Sequence, residues 1–159
     1  MVRCALFAAL MAICAWISIP LGDIAFTMQT FAVFLTLAVL GGKWGTASIG
    51  IYLALGFVGM PVFAGFRGGP GSLLGVTGGY IWGFLVAGLV YWSLEKFRKP
   101  LAMTAGLLSC YVCGCLWFSL YAGGPGFWAA ALKCVAPYLV PDILKLVLAT
   151  RLAKRLKFD

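Results

Sequence analysis

The sequence predicts an all-α membrane protein, a six-transmembrane-helix bundle, on three observations. Of 159 residues, 64% are hydrophobic and only 10% charged, far more apolar surface than a soluble domain of this length needs. The apolar runs are separated by short glycine-, proline- or charge-rich breaks, which punctuate one helix from the next. The basic residues cluster in alternate breaks, so the net charge of +8 reads as topology and not as a nucleic-acid patch. Residues 1–159 then form a single integral-membrane domain.

Helix 1 is expected from about Arg3 to Pro20. It is expected to stay in the protein, because no small-x-small cleavage site closes the run and Ile13 before Cys14 is too large for a lipoprotein site. Ala5 and Ala9 form one small-xxx-small pair and Ala8 and Ala12 another. In lipid such pairs let two helix backbones approach closely, within the fold or against another subunit. A loop follows over 21–30, with Gly22-Asp23 as its turn and Phe26, Thr27, Gln29 and Thr30 mixing rings, hydroxyls and an amide. Helix 2 covers about Phe31 to Leu40, Gly41-Gly42-Lys43 turns the chain, and helix 3 covers about Trp44 to Val58.

Gly59 to Gly79 reads as the longest non-helical stretch. Its glycines permit close backbone approach to a ligand, while Val62, Phe63, Phe66 and Leu73 argue for packing. Helix 4 is expected over Tyr80 to Leu94, with Tyr80 and Trp82 at its outer end. A charged turn, Glu95 to Pro100, leads to helix 5 over Leu101 to Tyr121. Gly123 to Gly126 makes a tight connection, and helix 6 runs from Phe127 towards Lys157, bent or interrupted at Pro137 and Pro141.

An even number of spans puts both termini on one side. That side carries Arg3, Lys43, Lys96, Arg98, Lys99 and the basic tail, while Arg67 is the loop cation of the other. Both termini are therefore expected in the cytoplasm. The 22–30 loop, the glycine-rich stretch and the 123–126 turn then face outward together and lid an outward-facing ligand pocket.

Beneath those loops lie Asp142 and Lys145, an acid and a base within an apolar helix. Residues at i and i+3 share a helix face, and a charge in hydrocarbon costs roughly 2.5–3.5 kcal/mol or more. The plain alternative is that the two pair only to fix helix packing. The functional alternative is a buried clamp that reads a small polar ligand.

Several classes of function are excluded or weakened. With no histidine, the usual proton shuttle and commonest metal ligand is missing. Cys110, Cys113 and Cys115 lie in an apolar helix without a second CxxC pair, so packing is favoured over a metal site. Leu37 stands five residues before Gly42, so the glycines ahead of Lys43 do not complete a phosphate loop. No metal, cofactor or catalytic set is expected, and a lipid-modifying membrane enzyme is disfavoured for want of an acid, base or nucleophile constellation.

Four segments in order are specific together. They are Phe26 to Thr30, Gly59 to Gly65, Thr77 to Phe84 and Asp142 to Lys145. In sequence and spacing the chain resembles the BioY family, the biotin-specific substrate-binding (S) components of energy-coupling factor vitamin transporters. Val76 stands where that family usually has proline, and Pro141 where it often has glycine. The resemblance implies biotin uptake at the cell membrane. Asp142 and Lys145 would contact biotin, with Gln29, Thr30, Phe26, Tyr80, Trp82, Phe63 and Arg67 around it. The small face of Ala5, Ala8, Ala9 and Ala12 would dock on a transmembrane coupling subunit, with two cytoplasmic ATPase subunits supplying energy. Recognition of another vitamin by the same architecture, or transport without the ATPase module, are the alternatives. A ligand panel separates the first.

The topology has a direct check. An impermeant thiol reagent on intact cells should label a cysteine placed at Ser72 and not one placed at Phe97, and the opposite pattern would invert the bundle.

Overall fold

The computed structural model describes residues 2–20, 25–121 and 126–156. The element order is α1 (Val2–Trp16), β1 (Ser18–Pro20), β2 (Ala25–Thr27), α2 (Gln29–Phe57), a 3-10 turn (Ala64–Phe66), α3 (Pro70–Leu74), α4 (Gly78–Leu94), α5 (Lys99–Tyr121), α6 (Phe127–Cys134) and α7 (Ala136–Arg155).

Although helical at both ends, α2 is not one rod. Gly41 has φ 77° and ψ 173°, outside helical values and in a region that L-residues with a side chain rarely enter. Gln29 and Tyr52 would stand roughly 35 Å apart along a straight helix. Their side chains are instead hydrogen-bonded at 2.9 Å. The chain therefore doubles back at Gly41, and arms 29–40 and 42–57 form a hairpin, as the Gly41-Gly42-Lys43 turn signal predicts. Glu95, just past α4, accepts a 2.8 Å hydrogen bond from the Gly42 N–H. A carboxylate there satisfies an orphan donor and suits the positive end of the second arm.

Two boundaries differ from the sequence expectation. Helix α1 stops at Trp16, because Ser18–Pro20 pairs antiparallel with Ala25–Thr27 in the register Ser18↔Thr27, Ile19↔Phe26 and Pro20↔Ala25. Gln29 and Thr30, expected in a loop, sit in the first turn of α2. The expected turn residues Gly22 and Asp23, Gly123 to Pro125, and Lys157 lie outside the described residues.

The 59–79 stretch is also less irregular than expected. It holds the 3-10 turn, the five-residue α3 with Pro70 in its first turn, and the start of α4. Proline is pre-set for that helical position. The stretch is pinned at several points. Phe63 and Arg67 form an isolated bridge, the Trp16 indole N–H donates to the Pro61 carbonyl at 2.8 Å, and Trp16 stacks on Phe66 at 5.0 Å.

Helix α4 packs most extensively on α5, α1 packs on α2, and α2 meets both α4 and α7. Gly114 shows why α4 and α5 approach so closely: an added Cβ would overlap the Tyr80 ring. The last helical region is interrupted just before Pro137, while α7 runs on through Pro141, where a second interruption was expected. Helix α6 ends at Cys134, Val135 takes φ −119°, and α7 restarts with Pro137 in its first turn.

The core is apolar but encloses polar groups, and the exterior is apolar as well. Gln29, Thr36, Thr46, Ser48, Asp142 and Lys145 are buried, while Leu108, Val112, Leu116 and Leu120 of α5 and Val140, Ile143, Leu144 and Leu148 of α7 are exposed. A continuous apolar exterior is an association hazard in water and the ordinary state of a lipid-facing surface. By length and composition, α2 and α5 are apolar enough to cross a membrane, although the first is folded on itself. The chain is a mostly helical membrane protein.

Candidate ligand pocket

Residue Asp142 sits nearly two turns into α7, past the Val135 break, and Lys145 follows on the same face. Both are buried. Their side chains form an ion pair, Lys145 Nζ to Asp142 Oδ1, at 2.8 Å. The other carboxylate oxygen, Oδ2, accepts from the Tyr111 hydroxyl of α5 at 2.7 Å. The Lys145 ammonium also donates to the Thr27 carbonyl of β2 at 2.7 Å and lies 3.9 Å from the centroid of the Phe26 ring. One buried pair thus ties together α5, α7 and the β-hairpin.

That arrangement explains how two charges are tolerated here. Desolvating an isolated ion costs several kcal/mol, and a buried pair offsets it only when further hydrogen bonds complete the geometry. Tyr111 and the Thr27 carbonyl supply them, and the Phe26 ring adds a cation–π contact. Removing one charge strands the other, a loss of roughly 3–5 kcal/mol in comparable buried pairs. The site nevertheless keeps recognition capacity. A carboxylate offers about four lone-pair positions, and Tyr111 and Lys145 take one on each Asp142 oxygen.

A second polar chain stands across the pocket. The Gln29 side-chain amide donates to the Tyr52 hydroxyl at 2.9 Å, which in turn donates to the Val62 carbonyl at 2.9 Å. This links both arms of α2 to the segment after it. The Phe63 ring packs edge-on against Tyr52 at 5.5 Å. On a third side, the Tyr80 hydroxyl donates to the Cys134 carbonyl at 2.9 Å, holding α4 against the α6–α7 break.

These groups surround one cavity of about 160 Å³. Of the residues expected around a ligand, Gln29, Thr30, Phe63, Arg67, Tyr80, Asp142 and Lys145 line it. Ile81, Phe84, Leu107 and Tyr138 make apolar wall, and Thr77 and Ser72 add hydroxyls. Phe26 is not part of the lining but sits behind Lys145, stacked on Tyr138 at 6.5 Å. Arg67 is exposed.

One expected wall residue falls elsewhere. Trp82 is 42% exposed and does not line the cavity. The cause is helical geometry: residues two apart point in different directions, so with Tyr80 turned inward Trp82 must turn out. Tyr111 is the principal residue that sequence reasoning missed. It lies in the middle of an apolar run, and nothing local distinguishes it from a packing tyrosine.

The small residues of α1 divide in the same way. Ala8 and Ala12 are buried at 1% and 6% exposure, whereas Ala5 and Ala9 are exposed. The first pair is therefore packed inside the fold and is not available at the surface. On the buried side, Ser48 of α2 donates to the Cys4 carbonyl at 2.7 Å, the close approach that small residues permit.

The family model described as BioY family matches residues 1–158. The chain belongs to the BioY family. A biotin transporter BioY from Thermotoga maritima is 41% identical, over 99% of this chain and 95% of the relative. A probable biotin transporter BioY from Pyrococcus horikoshii is 42% identical, over 96% of this chain and 93% of the relative. Among solved structures, the S-component for biotin from an ECF-type ABC transporter superposes with a TM-score of 0.88 at 25% identity, covering 98% of this chain and 88% of that one.

Proposed function

We propose that this chain is a biotin-binding S component and acts in biotin uptake at the cell membrane. The observation that carries the reading is the Asp142–Lys145 pair, facing an apolar-walled cavity in a member of a family whose named relatives are biotin transporters. Biotin has a flat ureido group with two N–H donors and one carbonyl, an apolar bicycle and a carboxylate tail. Asp142 accepts from a ureido N–H through a lone pair not used by Tyr111 or Lys145, and Lys145 donates to an oxygen. Gln29 and Thr30 add polar contacts. Tyr80, Phe63 and Phe84 enclose the bicycle, and Arg67 at the mouth steers the carboxylate.

In this reading the pocket faces outward, with 25–30 and 59–79 as its lids and both termini in the cytoplasm. The six spans are α1, the two arms of α2, α4, α5 and the α6–α7 pair. Their inward ends carry most of the basic residues, with Arg67 and Lys133 as exceptions, in keeping with the positive-inside rule.

Calorimetry on purified variants tests the site. Asp142→Asn places an amide donor among donors, and Lys145→Met removes the charge while keeping much of the stem's packing. Each should weaken biotin binding by roughly 2–5 kcal/mol, on the order of 30- to several-thousand-fold. Tyr111→Phe, which frees the carboxylate to drift, should cost about 1–2 kcal/mol, and Trp82→Phe should leave affinity within about twofold, a change below 1 kcal/mol. Wild-type affinity in both Asp142→Asn and Lys145→Met would remove the pair from the site and leave it a packing device.

Uptake against a gradient needs an energy source, and the chain lacks a phosphate loop. The proposed partners are a transmembrane coupling subunit and two cytoplasmic ATPase subunits. Ala5 and Ala9 are the exposed part of the α1 small-residue face and the proposed contact. Leucine at both positions should spare biotin binding and impair ATP-driven uptake in the assembled transporter. Normal coupled uptake by that variant would place docking elsewhere.

A further inference from the structure

A second cavity, about 430 Å³, opens at the opposite end of the bundle from the pocket. Helices α5 and α7 meet near the pocket, where Tyr111 reaches Asp142, yet they pack only sparsely on each other elsewhere. A slot is left between the first turns of α5 and the last turns of α7. Its floor is apolar, from Ala38, Tyr91, Met103, Leu146 and Val147. Its rim is cationic, from Lys99, Arg151 and Lys154, all exposed. Among the described residues no carboxylate lines it, and the one ion pair found is Asp142–Lys145, far from this rim. Its two threonines are occupied locally: Thr104 donates to the Pro100 and Leu101 carbonyls and Thr150 to the Val147 carbonyl.

Along α7 the slot changes character in a regular way. Leu146 and Val147 lie deepest along the helix, and Arg151 and Lys154 come one and two turns later on the same stripe. From Leu146 to Lys154 is roughly 12 Å of helix. The slot is thus apolar towards the middle of the membrane and positive towards its surface. That is the polarity of a phospholipid with an anionic headgroup. A soluble anion would use the rim and leave the apolar floor uncovered.

We propose that this slot binds an anionic phospholipid. Its phosphate sits among Lys99, Arg151 and Lys154, and an acyl chain covers Met103, Leu146 and Val147. The bound lipid fills the gap between α5 and α7 and so braces the two helices that carry Tyr111 and Asp142. The inference rests on the chain's membrane character and is independent of which ligand fills the pocket.

The test uses the full chain, delipidated in detergent and titrated with phosphatidylglycerol, phosphatidylcholine or soluble glycerol 3-phosphate, with bound lipid counted by native mass spectrometry. One phosphatidylglycerol should be retained in preference to phosphatidylcholine. Each basic residue near a membrane surface contributes about a factor of five to anionic-lipid attraction. Lys99→Gln/Arg151→Gln/Lys154→Gln should therefore lose on the order of 100-fold in phosphatidylglycerol affinity. Lys43→Gln/Lys96→Gln/Arg155→Gln removes the same charge away from the slot and should lose little. Equal losses in both triple variants would show a general charge effect and overturn the proposal. So would equal retention of the two lipids, or glycerol 3-phosphate binding as tightly as phosphatidylglycerol. Should the first triple variant not stay folded, Val147→Trp reports instead: filling the floor should weaken lipid retention while all three cations remain, and unchanged retention would sink the proposal.

Discussion

A buried ion pair holds this structure together. Asp142 and Lys145 pair between apolar helices, with Tyr111 on one carboxylate oxygen and the Thr27 carbonyl and Phe26 ring against the lysine amine, the further contacts that a buried pair needs. Those partners come from α5 and from β2, and the pair itself from α7. Meeting the needs of two charges therefore fixes where three elements sit, and the same groups face the cavity. In a membrane the hydrophobic effect gives little preference for one helix arrangement over another. A polar network with few satisfactory geometries supplies that preference. Under the proposed function, stability and recognition are demanded of the same atoms.

The remaining walls are positioned by the same economy. Tyr52 accepts from Gln29 and donates to the Val62 carbonyl, so a single hydroxyl orients an arm of α2 and the segment after it. Tyr80 joins α4 to the break before α7. Each tyrosine carries an apolar ring into the core and satisfies a backbone carbonyl freed by an irregularity. Non-helical backbone at such depth is tolerated only where protein groups complete its hydrogen bonds. The irregular segments sit beside the pocket and expose groups that a ligand can use.

Much of this was legible in the residues, and the reasons differ by element. The helix breaks at Gly41 and before Pro137 follow from local backbone chemistry, which any window of sequence carries. Asp142 and Lys145 stand out because charge in an apolar run is costly. The pairing of Ser18–Pro20 with Ala25–Thr27 was hidden, because three residues of strand leave no periodicity to read. Tyr111 was hidden because its role depends on a partner 31 positions away. Trp82 was misplaced by reading adjacency in sequence as adjacency in space, and Ala8 and Ala12 by treating two small-residue pairs as one face. An apolar exterior adds to the difficulty: with lipid outside, apolar residues occupy both the core and the surface, so an amphipathic stripe no longer says which side is in.

The central claim is that an Asp142 oxygen accepts from a ureido N–H of biotin. Calorimetry with biotin and with an analogue methylated on a ureido nitrogen, in the wild-type chain and in Asp142→Asn, isolates that contact. The methyl group should cost the wild type at least about tenfold in affinity, roughly 1.4 kcal/mol, and cost Asp142→Asn much less, because the acceptor it blocks is already gone. An equal methylation penalty in both proteins would show that the carboxylate and the ureido group do not meet.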